Sequence, residues 1–209
     1  MQMEARQYRE MTLTPITEGL TQTKLIDCKK YVEGYAAKYE PYVLWEEDDG
    51  PIYEQFLREA FDGTDMSDII FQLNHSGRVY ARTGNGSLVV RLDNTGILTG
   101  ADLGRTASAE SIYDDIDAGM LTKMSWGFYT GSYGKDYYYD AKTRTIVHRH
   151  VPRIFDVSVV ALPANEDTSI NARSFCDDVA EKMREERKKY LDSLKSKTIT
   201  KIKITEVEK

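Results

Sequence analysis

Apolar and polar residues change period along the chain, and each change marks an element. Residues 1–24 mix the two without a clear period, which fits a loosely held arm or an edge strand. From Lys30 to Trp45 the β-favouring residues Tyr31, Tyr35, Tyr39, Val43 and Trp45 predict strand, with Gly34 a bulge or a close backbone approach. Glu46 to Gly50 reads as an acidic turn. Pro51 then suits a first helical position, where its missing N–H costs nothing. Ile52, Phe56 and Ala60, widened by Leu57 and Phe61, predict an apolar helix face that ends at Asp62-Gly63.

Ile69 to Leu73 predicts a short buried strand running into Asn74-His75-Ser76-Gly77. Ser87 to Asp93 alternates as a half-buried strand does, turns at Asn94-Thr95-Gly96 and resumes as strand near Ile97 and Leu98. Ala109, Ile112, Ile116 and Met120 predict a helix over 106–120, with Gly119 near its end. Gly131 to Tyr139, rich in Gly and Tyr, reads as a turn; Thr143 to His150 and Arg153 to Ala161 read as closing strands. In the last, Phe155, Val157 and Val159 share one face and Asp156 and Ser158 the other, so the core should take one side and leave Asp156 to face something polar. A charged helix over 177–195 has a thin apolar stripe of Val179, Met183, Leu191 and Leu194; residues 198–207 fit an added strand or disorder. Strands at this spacing predict an α+β fold: a mostly antiparallel, closed or nearly closed β-barrel with helices packed outside. The expected organisation is an arm or edge strand at 1–24, a central domain at 25–173 and a charged helix and tail at 174–209.

Composition narrows the function. The 209 residues are 41% hydrophobic and carry a net charge of −6, which gives no general attraction to nucleic acid or to an anionic membrane. Residues 175–209 hold 10 basic and 8 acidic side chains, a local reversal. Two cysteines, Cys28 and Cys176, make neither a disulfide framework nor a metal motif and read as free thiols. No apolar run approaches the roughly 20 residues a membrane helix needs, and the polar start lacks the apolar stretch of a signal peptide. A soluble protein, with no membrane and no nucleic-acid partner, is expected.

Five residues are candidates for chemistry. His75 follows an apolar strand, where a side chain can project from a rigid base; a structural edge histidine fits equally. His148 and His150 stand two apart on a strand, which suits a solvated face better than a metal pair without a third ligand. Ser125 lies between Met124 and Trp126-Gly127 as a plain strand serine or a nucleophile at a tight turn, although Lys123 excludes the G-x-S-x-G elbow. Asp156 in an apolar strand needs a partner, either Arg153 or Arg149 or an imidazolium.

Taken together, these segments resemble the prohead serine proteases of tailed bacteriophages. Met3-Glu4-Ala5-Arg6 resembles the family's start, and Tyr31-Val32-Glu33-Gly34-Tyr35-Ala36-Ala37 its "EGYA" strand. Leu73-Asn74-His75 matches the histidine segment, and Thr95-Gly96-Ile97 stands at the "D-x-x-G-L" strand. Lys123-Met124-Ser125-Trp126-Gly127-Phe128 matches "LSIGF", and residues 154–165 match "L-E-V-S-L-V-x-x-P-A-N". The resemblance spans about residues 3–173. This chain departs from the pattern at Asn74-His75-Ser76, where "HD" is common, at Trp126, where a small aliphatic is usual, and at Asp156, where Glu is usual.

The resemblance implies a barrel like that of the herpesvirus assemblins and a serine endopeptidase of procapsid maturation. Ser125 would be the nucleophile, His75 the base and Asp156 the third member. The assemblins use a second histidine there, so His148 or His150 competes for that role. It implies action inside the viral procapsid in the host cytoplasm, on the major capsid protein, on scaffold segments and on the chain itself after about residue 165, with self-association as a further expectation and no cofactor or metal. Arg153 could assist the oxyanion or form an ion pair. The terminal helix would be a scaffold-contact segment or a solvated helix. The alternative is a catalytically inactive scaffold or assembly protein that keeps the protease fold; an acyl hydrolase of another family with the same dyad is a second.

Overall fold

The computed structural model describes residues 6–12, 24–161 and 180–198. Twelve strands are described: β1 (Arg6–Thr12), β2 (Tyr31–Lys38), β3 (Tyr42–Glu47), β4 (Gly50–Phe56), β5 (Ile70–Leu73), β6 (Ser76–Arg82), β7 (Leu88–Leu92), β8 (Gly96–Asp102), β9 (Lys123–Tyr129), β10 (Tyr137–Asp140), β11 (Thr145–His148) and β12 (Arg153–Val160). Helix α1 is Ala107–Asp117, and a second helix, α2, covers 180–198.

The strands form three sheets, ordered β1-β9-β12-β5-β6, β10-β11-β4-β3 and β2-β8-β7. None is closed, which corrects the expected barrel. The antiparallel majority stands, but β12 runs parallel to β5 and β11 parallel to β4. Alternation along a strand fixes which side chains share a face. It carries nothing about which strand's N–H groups meet which carbonyls, and closure depends on that pairing.

Residues 51–61 are not a helix. Ile52, Glu54 and Phe56 alternate as the buried face of β4, between β3 and β11. A spacing of four is even, so Ile52 and Phe56 share a face in a strand as well as in a helix. Only Arg58–Phe61 turns, as a single 3₁₀ turn that buries Ala60 and Phe61. The bulge in β2 falls at Ala36, between the Tyr35 and Ala37 pairings, rather than at Gly34.

The main core gathers Val32, Phe56, Phe71, Ile97, Trp126 and Val157 with the apolar stripe of α1, Ala109, Ile112 and Ile116. Thr106 caps α1, its Oγ1 accepting from the Ala109 N–H at 3.2 Å. At the other end Gly119 adopts φ +72°. Its N–H donates to Ile116 and that of Met120 to Asp115, a Schellman arrangement that stops the helix. Met120 is thereby thrown outside the helix and is 73% exposed, against its expected place in the stripe. A smaller cluster forms where Met183 of α2 packs on Ile52, Tyr137, Tyr139 and Ile146. Leu191 and Leu194 stay exposed. Val179, Cys176 and the segment 199–207 lie outside the described residues. No helix among the described residues is long and apolar enough to cross a membrane.

Candidate active site

Strands β9 and β12 lie side by side inside the five-stranded sheet, antiparallel, with Ser125 opposite Ser158 and Gly127 opposite Asp156. By the two-residue period all four positions share one face. Val157 and Val159 pack the other face into the core. The face of Asp156 and Ser158 is as buried as that of the valines. A carboxylate there requires hydrogen-bond partners.

The partner comes from the β5–β6 hairpin. Leu73 pairs with Ser76 across a two-residue loop, Asn74-His75. Their φ angles, +52° and +56°, suit a type I′ turn, in which both central residues are left-handed. Asn tolerates that region well; a histidine there costs on the order of 1–2 kcal/mol. The loop is anchored to β12: the Asn74 N–H donates to the Val159 carbonyl and the Asn74 Oδ1 accepts from the Ala161 N–H, each at 3.0 Å. Because β5 runs parallel to β12, the hairpin tip lies at the end of the strand that carries Asp156 and Ser158.

His75 meets both other candidates. Its Nε2 lies 2.6 Å from Ser125 Oγ, and its Nδ1 is hydrogen-bonded to Asp156 Oδ2. Ser158 Oγ donates to the other carboxylate oxygen, Asp156 Oδ1, at 2.8 Å. The His75 side chain is 14% exposed and Asp156 2%, while Ser125 is fully buried. Arg153 and Arg149, the alternative partners for Asp156, are engaged elsewhere. The first pairs with Asp65 at 3.4 Å; the second donates to the Gly134 carbonyl at 2.7 Å.

His148 is elsewhere too, and it is not on a solvated face. It ends β11 fully buried, stacked on Phe56 at 4.3 Å, with its Nε2 2.8 Å from Glu54 Oε1. Glu54 also accepts from Arg9 through both Nε and Nη2, and from the Tyr42 hydroxyl. Burial alone would raise the Glu54 carboxyl, but the Arg9 guanidinium and His148 outweigh it and hold it at about 2. His150 lies past the end of β11, so the two histidines do not share a strand face. Among the described residues no group of three or more His, Cys, Asp or Glu is placed to hold a metal ion. The Cys28 thiol is pushed up to about 11, by burial first and then by Asp102, which leaves little thiolate at neutral pH.

The sequence reading missed the Arg9–Glu54–His148 cluster and the Ser158 contact. The signal for the first was Glu54 itself, a carboxylate between Ile52 and Phe56 on the apolar face once a strand period is used. The second could be read only as far as Ser158 sharing a face with Asp156.

The arrangement is chemically specific: an imidazole bridges a hydroxyl and a carboxylate that come from separate strands. This is the geometry in which a histidine with its proton on Nδ1 can take a hydroxyl proton at Nε2. Comparison with known proteins points the same way. The model of the caudovirus prohead serine protease family matches residues 20–186. Comparisons with curated proteins and with solved structures gave no significant match.

Proposed function

Since the chain belongs to the caudovirus prohead serine protease family, a family of phage maturation proteases at work in the procapsid, we propose that it cleaves peptide bonds through Ser125, His75 and Asp156. The observation that carries this is the single imidazole contacting Ser125 Oγ on one nitrogen and the Asp156 carboxylate on the other. In this reading Asp156 accepts the Nδ1–H of His75 and so fixes the tautomer that leaves Nε2 free to accept. His75 takes the Ser125 proton as Oγ attacks the substrate carbonyl. It then gives that proton to the leaving amine, and Asp156 stabilises the imidazolium formed between the two steps. Aspartate in place of the family's usual glutamate suits the hairpin tip, which is tied to the end of β12 and needs no longer reach. Residues 25–173 would be the catalytic unit, with the arm and the terminal helix appended to it. Scaffold and capsid-protein segments are the proposed substrates, together with the chain itself after about residue 165.

A second reading, an assembly protein that keeps the fold without the activity, is favoured by one observation: Ser125 is fully buried, and a substrate carbonyl must reach it. A fluorophosphonate probe separates the two. Labelling of Ser125 in the wild-type chain, lost in Ser125→Ala and His75→Ala, is expected; an unlabelled wild type would favour the inactive reading. Incubation with the phage's capsid and scaffold proteins tests the substrate, and a change in mass of the purified chain that Ser125→Ala abolishes tests self-cleavage.

A further inference from the structure

The Asp156 carboxylate has two oxygens, and His75 uses only one of them. The terminal torsion of an aspartate is a broad, roughly two-fold sp³–sp² rotor, so one hydrogen bond leaves the carboxylate plane free to rock. Its second oxygen, Oδ1, accepts from the Ser158 hydroxyl at 2.8 Å. Ser158 is fully buried, lies two residues along the same strand face and stands directly opposite Ser125 in the β9–β12 register. Its hydroxyl therefore sits where it can fix the carboxylate without touching the scissile bond. We propose that Ser158 is a positioning residue of this site: it clamps Oδ1 so that Oδ2 stays aligned with His75 Nδ1, and thereby holds His75 in the orientation that faces Ser125.

The inference rests on the protease reading, but its physical core, the alignment of Asp156 with His75, can be measured without activity. Without Ser158, Asp156 Oδ1 would keep its burial and lose its donor, and an oxygen in that state turns toward any other donor within reach. The nearest consequence is a looser Nδ1–H bond at His75. A merely structural serine would instead change the melting temperature and leave that bond intact.

The test uses the full chain with Ser158→Ala and Ser158→Thr. Three quantities are read: the rate of Ser125 labelling by a fluorophosphonate, the low-field proton resonance of His75 Nδ1–H, and the thermal midpoint. For Ser158→Ala, labelling should slow by roughly tenfold, the rate equivalent of a modest loss of alignment. The low-field resonance should broaden or vanish through faster exchange with water. Ser158→Thr keeps the hydroxyl and should restore both, and comparison of midpoints shows whether its added methyl is tolerated. Wild-type labelling and an unchanged Nδ1–H signal in Ser158→Ala would overturn the proposal, as would slower labelling that only tracks a lower folded fraction while the signal persists. Should the wild-type chain not label at all, the protease reading fails on its own, and the Nδ1–H signal alone then decides for or against the clamp.

Discussion

Two histidine–carboxylate pairs lie within the described residues: His75 with Asp156, and His148 with Glu54. Both carboxylates are buried. The pairs differ in what else they touch. Glu54 is neutralised by the Arg9 guanidinium and also accepts from Tyr42, so its charge is spent on tying β1, β3, β4 and β11 together. Asp156 has no such guanidinium in the contacts described; its donors are a hydroxyl and the imidazole. His148 is walled in by Phe56, Phe128 and Tyr137. His75 sits at a hairpin tip, partly exposed, with a serine hydroxyl on its second nitrogen. A histidine bound to a carboxylate is thus no mark of catalysis by itself. What separates the two is the surroundings: His148 is enclosed by aromatic rings, whereas His75 has a serine hydroxyl on its second nitrogen.

The sharpest way to break this comparison is at the hydroxyl. Ser125→Ala and His75→Ala should each lower turnover by about 10⁴–10⁶ with little change in melting temperature, as in other units whose members act together. Asp156→Asn should cost about 10²–10⁴, because the amide can hold the wrong tautomer, whereas His148→Gln should change stability and leave the labelling rate of the folded protein near wild type. An active Asp156→Asn beside an inactive His148→Gln would exchange the two roles.

Glu54→Ala should destabilise the chain by roughly 3–5 kcal/mol, since it removes one partner of a buried ion pair with Arg9; chemical denaturation reads this directly. The same pair gives a pH signature. The Glu54 carboxyl is depressed to about 2 from an ordinary value near 4.5. Its contribution to stability is therefore complete above about pH 4.5 and is lost as the pH falls toward 2. Denaturation curves over that range should show the loss in the wild type and a shallower one in Glu54→Gln. The smallest effect expected is at the hairpin tip. Asn74→Ala loses the Ala161 contact and places an alanine at positive φ, for about 1–2 kcal/mol. Asn74→Gly tolerates the φ angle and loses only the side-chain contact. A slower labelling rate shared by both variants would show that the anchor, rather than the turn conformation, steers His75.

Much of the strand content was readable in the chain because local alternation reports which residues share a face. Ile70–Leu73, Leu88–Leu92 and Arg153–Val160 fall within or beside the stretches where period-two patterns put them. The same pattern failed at residues 51–61, where apolar residues four apart suit a strand and a helix equally and the partners β3 and β11 decided. It also failed for the barrel, because closure is a property of hydrogen-bonding partners far apart in sequence. At the site, the residue types and their order were legible, but Asp156 could have faced an arginine as readily as an imidazole.

The sequence by itself determined the family and the candidate residues His75, Ser125 and Asp156. Short motifs keep residue identity in order along the chain, and order survives without coordinates. Only the tertiary structure decided that these three meet, that His148 belongs to a separate buried pair, and that Ser158 holds the far oxygen of Asp156. The first two are contacts between segments tens of residues apart, set by strand register and by where the hairpin tip meets β12. The third joins residues two apart on β12 and depends on the side-chain orientation that packing selects.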